Sequence, residues 1–298
     1  QVTYHRRPVI GKDDIGAMAL VKLATGVNMF GWYMYHGGTN PIICGTYMQE
    51  SVETGYPNDY PRLSYDFQAP IREYGQLSDA YCELKLFGLF LQDFGASVAP
   101  MNTILPAGKM YAPDDTEHLR LALRRKGNSG YLFVNNYVRR EKMREHKNVS
   151  LKAELDHETI EFPVRDIHDG DYFFYPFNLE IGDALLKYAE ASPLCILENP
   201  DEKTYVFYAE KRSPAYKIEG DLGKNKLLFI SRKDALNAYK VDIDGRQYLI
   251  VTQGACHRRA NKWFLSGNGD IQISTYPALP SLPIGFATKR KKNGLSVY

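Results

Sequence analysis

Apolar and polar positions change rhythm once along this chain. After Asp13-Asp14, the apolar residues Ile15, Met18, Val21 and Leu23 mark one side of a helix, and Gly26 stops it. Val27, Met29, Phe30, Trp32 and Met34 then form a short aromatic and apolar run ending at Tyr35. Following a helical pattern, that run predicts a buried strand of a parallel sheet. Residues 37–76 carry no clear period and read as a long loop, a length that favours function when the loop follows such a strand. Ser78 is expected to cap a second helix, with Tyr81, Leu84, Phe87, Leu91 and Phe94 on one face and Gly95 behind them.

From about Ala96 the helical period is lost and short runs alternate with turn signals. Leu119 to Leu123 and Tyr131 to Val134 flank Gly127-Asn128-Ser129-Gly130, a hairpin pattern. Similar runs recur at Val149 to Leu155, Leu194 to Leu197, Tyr205 to Tyr208, Leu227 to Ile230, Tyr239 to Ile243, Tyr248 to Val251 and Ile271 to Ser274. Asp244-Gly245 marks another hairpin. The expectation is an α/β portion over residues 1–95, followed over 96–298 by an all-β sandwich or jelly-roll region of one or two small domains.

Two segments are dense in chemistry. The run above leads into Tyr33-Met34-Tyr35-His36-Gly37-Gly38-Thr39-Asn40, and some 25 residues later comes Ser64-Tyr65-Asp66-Phe67-Gln68-Ala69-Pro70, then Glu73-Tyr74-Gly75. A buried strand that delivers Tyr, His, Thr and Asn into a Gly-Gly turn is how α/β enzymes build a pocket floor. Gly37 and Gly38 are expected to supply backbone freedom there.

Together the segments resemble the last barrel strand and following loop of the family 35 glycoside hydrolases, the β-galactosidase type. That family carries Tyr-Met-Phe-His-Gly-Gly-Thr-Asn and then Ser-Tyr-Asp-Tyr-Asp-Ala-Pro-Leu-x-Glu-Tyr-Gly. This chain departs at Phe67, where the family has a sugar-touching Tyr, at Gln68, where it has Asp, and at Pro41, where it has Phe. The segments Gly130 to Tyr137 and Tyr175 to Leu179 also resemble β regions that follow the barrel in bacterial members. The resemblance implies the end of a TIM (β/α)8 barrel, then β-sandwich domains. It also implies a retaining enzyme that cleaves terminal β-linked galactose. The family's nucleophile and acid/base Glu residues precede the part matched by Gln1 to Pro8, so the chain is read as a C-terminal portion with no catalytic residue of its own. No cofactor or metal is implied, and the partner expected is a β-galactoside glycan.

By that resemblance Tyr33 faces substrate, Tyr65 and Phe67 belong to a loop closing over the sugar, and His36 lines the pocket. Gly37, Gly38, Thr39, Asn40 and Asp66 are motif residues expected to hold the turn and the loop, Thr39 and Asn40 through side-chain to backbone bonds. Glu73, Glu50 and Glu53 are not assigned as catalysts, because a retaining pair needs two carboxyls about 5–5.5 Å apart across one bond.

Composition adds exclusions. The net charge of +2 argues neither for nor against an anionic partner, and Arg124-Arg125-Lys126 and Lys289 to Lys292 read as solvated turns and tail rather than nucleic-acid contacts. Cys44, Cys82, Cys195 and Cys256 show no CxxC spacing, which argues against a zinc site. No apolar run reaches membrane-spanning length. The chain reads as soluble, but its compartment is not readable from these residues, with a bacterial periplasmic or secreted location left open. The 22 Tyr suit carbohydrate surfaces but also strands, so a carbohydrate-binding or purely structural β fragment stands as the alternative function.

Overall fold

The computed structural model describes residues 9–47, 63–106, 111–286, 290–292 and 294–298. It is mostly β, with three helices and no closed barrel among the described residues. The expected site residues all fall within it, whereas Glu50, Glu53 and Lys289 lie outside the described residues. The chain divides into two compact units, residues 1–18 with 29–84 and residues 19–28 with 85–298. Of the three division points, 18/19 and 84/85 fall inside long helices and 28/29 does not, and the boundary expected at residue 95 also lies within a helix.

Helix α1 spans Lys12–Ala24. Its start is tied by the Gly11 N–H donating to Asp14 Oδ2 at 2.7 Å. Its end follows from Gly26, whose φ of 98° lets Val27 N–H reach back to Lys22 O at 3.0 Å. Helix α2 spans Asp79–Val98, three residues beyond Gly95. Its most buried apolar residues are Leu84, Leu86, Phe90, Phe94 and Val98, so Phe90 rather than Phe87 or Leu91 centres the packed stripe. Ser78 does not cap α2 with its side chain; its hydroxyl donates to Pro70 O at 3.0 Å.

The strand expected over Val27 to Tyr35 does not form. These residues pair with no strand, and Met29 is 90% exposed. An apolar run becomes a buried strand only where neighbouring strands satisfy its backbone and cover both faces, and no such neighbour flanks it among the described residues. In the same unit, short antiparallel pairs carry the order: Gly38–Thr39 with Ser64–Tyr65, and Ile42–Ile43 with Thr46–Tyr47. The second pair turns at Cys44 and Gly45, with φ of 52° and 75°, the left-handed values of a tight two-residue hairpin.

The larger unit is built on ladders. A six-stranded antiparallel sheet runs in the order Tyr216–Glu219, Ala184–Ala189, Tyr172–Ile181, Ser129–Asn135, Arg120–Lys126, Asn102–Ile104. The Gly127-Asn128 hairpin forms with Lys126 opposite Ser129, and the Asp244-Gly245 hairpin with Ile243 opposite Arg246. Asp244 and Gly245 both take positive φ, as their turn requires. A five-stranded antiparallel sheet contains Ala238–Ile243, Arg246–Thr252, Ile273–Tyr276, Leu295–Val297 and Arg290–Lys292. A three-stranded sheet departs from the hairpin rhythm: Lys203–Ala209 pairs parallel with Asn225–Ser231, and Tyr216–Glu219 between them in sequence joins the six-stranded sheet. Core side chains include Leu194, Leu197, Val206, Ile230 and Leu249 in one cluster and Leu132, Val134, Phe162 and Phe177 in another.

Arg124 corrects the reading of its basic cluster as solvated. It is 1% exposed, and its guanidinium donates to Leu23 O at 3.2 Å, Val98 O at 3.0 Å, Met101 O at 3.2 Å and Asn28 Oδ1 at 3.0 Å. It therefore satisfies carbonyls at the C-terminal ends of both long helices, where a cation is favoured by the helix dipole. No helix among the described residues is long and apolar enough to cross a membrane.

Candidate functional site

In the smaller unit the two motif segments come together. Gly38 lies opposite Tyr65 and Thr39 opposite Ser64. Beside this ladder His36 bridges Ile71: Gly37 N–H donates to Ile71 O at 2.8 Å and Ile71 N–H to Tyr35 O at 3.0 Å. Asn40 N–H closes the other side on Leu63 O at 2.7 Å.

Two carboxylates lock the junction. Asp66 Oδ1 accepts the Glu73 N–H at 2.8 Å while Oδ2 accepts Arg72 Nη1 at 2.8 Å. The Glu73 carboxylate accepts the hydroxyls of Thr39 and Ser64, one from each strand of the ladder. Thr39 therefore bonds a carboxylate and not the backbone, as the turn reading had it. Asp66 does hold the loop. Glu73, Arg72 and Ser64 are the residues sequence reasoning missed as framework. Their spacing carries no local signal, because the bonds exist only once the segments meet.

Gly37 matters for a different reason than backbone freedom. Neither Gly37 nor Gly38 takes a positive φ. A Cβ at Gly37 would stand 2.6 Å from Asp66 Oδ1 and 2.8 Å from Glu73 N, whereas one at Gly38 would meet nothing within 4 Å. Gly37 thus permits a close approach, and Gly38 is under no such constraint. The left-handed residues lie instead at Phe67 and Gln68, with φ of 44° and 60°. Ala69 N–H returns to Asp66 O at 2.8 Å across them. A turn of this kind favours Asn-Gly, so a Phe-Gln pair here stores backbone strain of about 1 kcal/mol or more per residue.

The aromatic side chains form a connected set. Tyr33 Oη and Tyr65 Oη are 3.0 Å apart, and the Tyr65 and Phe67 rings meet edge-on with centroids 4.4 Å apart. Tyr33 is 88% exposed, which excludes a core role. Tyr65 and Phe67 are half-buried, and His36 is exposed with Nδ1 engaged by the Gly37 carbonyl. Partial burial raises the Tyr35 phenol above its ordinary pKa. The arrangement presents ring faces and hydroxyls on a braced loop; its two braced carboxylates, Asp66 and Glu73, already accept bonds within the protein. Among the described residues no group of three or more His, Cys, Asp or Glu side chains could hold a metal ion.

No protein-family model matches this sequence, and no curated protein matches it.

Proposed function

We propose that this chain is part of a retaining β-galactosidase-like glycoside hydrolase acting on terminal β-linked galactose. On this reading residues 1–95 belong to the end of a TIM (β/α)8 barrel and the following β region is of the sandwich or jelly-roll kind. The observation that supports the reading best is the union of the two motif segments. Tyr33, Tyr65 and Phe67 come from positions 32 or more residues apart at the extremes, yet form one continuous aromatic set. Ring faces suit the C–H faces of a sugar, and phenol hydroxyls suit its hydroxyls. Phe67 stacks without donating a bond, so this subsite recognises shape at that point. Asp66 and Glu73 are positioning residues, and no carboxylate of this set is assigned as nucleophile or acid/base.

The test is hydrolysis of an aryl β-galactoside by the product of the complete reading frame that encodes this chain, with the product anomer followed by NMR. The reading expects turnover with retention at the anomeric carbon, and none from the 298 residues alone. Absence of β-galactoside turnover by the complete product, or inversion at that carbon, would overturn it.

A further inference from the structure

The larger unit holds a cleft of about 690 Å³ that the aromatic set does not account for. That volume lies in the usual range for small-molecule sites. Its lining residues fall between positions 212 and 297, at the ends of Asn225–Ser231, Arg246–Thr252 and Ile273–Tyr276 and beside the short helix Arg232–Leu236. Buried Val251, Leu295 and Val297 give it an aliphatic base.

Two glycines lie together on one wall. A Cβ at Gly254 would stand 2.6 Å from Ser266 O, and one at Gly267 would lie 3.5 Å from Gly254 Cα. Backbone therefore approaches backbone there, with the Ile271 side chain equally close to the Gly267 position. On another wall Asp234 accepts Arg212 Nη2 at 2.6 Å and the Ser231 hydroxyl at 2.8 Å, so that pair of charges is spent internally.

What remains is unspent hydrogen-bonding capacity. Gln253, Asn268 and Gln272 line the cleft, exposed, with side-chain amides that bond nothing else among the described residues. Lys233 and Lys292 likewise pair with no carboxylate among the described residues, against one unpaired carboxylate, Asp270. Amides that both donate and accept complement vicinal hydroxyls, and the surplus ammonium complements an anion. Among the described residues no aromatic ring lines the cleft to stack a nucleobase.

We propose that this cleft binds a saccharide carrying an anionic group, such as a uronic acid. The inference does not rest on the galactosidase reading, since every residue it uses lies in the larger unit.

Isothermal titration calorimetry on the whole chain tests it with three probes: a uronate-terminated disaccharide, its neutral counterpart and inorganic sulfate. The acidic disaccharide should bind saturably, and the other two at least ~10-fold more weakly. Lys233→Glu with Lys292→Glu should weaken it at least ~10-fold. Gln253→Ala with Gln272→Ala should weaken the disaccharide but leave sulfate unchanged. These side chains are exposed, so the variants should keep the wild-type circular dichroism spectrum. Equal binding of sulfate and the acidic disaccharide would show a bare anion site and overturn the proposal. So would the absence of saturable disaccharide binding, or indifference to the lysine changes.

Discussion

Among the described residues of 29–84, Tyr33 and Tyr74 stand in the open at 88% and 79% exposure, while Tyr65 and Phe67 are half-buried. In residues 85–298 a central group of rings is buried, although Tyr216 and Phe264 are exposed: Phe90 meets Tyr131 and Phe174 edge-on, and Phe133 stacks on Phe174 at 5.5 Å. The bonding differs in the same way. The smaller unit is held by two-residue ladders and by carboxylates that accept hydroxyl and backbone donors. The larger one is held by ladders of up to seven paired residues and by apolar clusters. A Tyr-rich composition therefore has two causes in one chain. One region uses rings as core volume, and the other keeps them where a ligand could reach them, at a cost in stability.

The largest contrast should appear in thiol labelling. Cys44 is exposed, whereas Cys195 is fully buried and its thiol is pushed up to about 12 by burial, with the Asp93 charge adding to it. Cys44 should react at the rate of a free thiol, and Cys195 only through unfolding, slower by about 10³-fold or more for a domain of ordinary stability. Comparable rates in native buffer would show that Cys195 is reached without unfolding and contradict its burial in the core.

Arg124→Met should cost the larger unit about 3 kcal/mol, seen as a lower denaturant midpoint. It strips several helix-end carbonyls of their donor at once. A change below about 0.5 kcal/mol would mean that water replaces the guanidinium without penalty. Gly37→Ala should cost less, about 1–3 kcal/mol, and only locally. Amide exchange at Asn40 and Ile71, whose N–H groups hold the junction, should accelerate, while exchange at Val134 in the central ladder stays as it was. Faster exchange at Val134 would mean that the two regions do not open separately.

What the sequence made legible follows the range of each interaction. The hairpins at Gly127-Asn128 and Asp244-Gly245 were readable because the turn chemistry is local. Both long helices were readable from period and stops, although Gly95 did not end α2. The parallel pairing of Lys203–Ala209 with Asn225–Ser231 was not, since a nonlocal register leaves no mark in either strand. Arg124 looked like part of a charged turn because the helix ends it serves are 23 to 101 residues away in sequence. The run Val27 to Tyr35 misled for the opposite reason. Its apolar content predicted burial, but Met29 and Tyr33 are exposed, so hydropathy there does not report a core. In the candidate site, the motif singled out Tyr33, Tyr65 and Phe67, which the fold brings into contact, whereas Glu73's bracing of Thr39 and Ser64 left no mark in the sequence.

The central claim is that Tyr33 and Tyr65 act as one element of a sugar-facing surface, and a double-mutant cycle tests it most directly. Tyr33→Phe, Tyr65→Phe and the pair are placed in the product of the complete reading frame, and kcat/KM for an aryl β-galactoside is measured. Because the two hydroxyls bond each other at 3.0 Å, removing either breaks the same bond. Each single change should lower kcat/KM by roughly five- to tenfold, corresponding to about 1 kcal/mol, and the double change by little more than either alone. Melting temperatures should move little, since Tyr33 is exposed. Effects that multiply, or full activity in all three variants, would contradict the account.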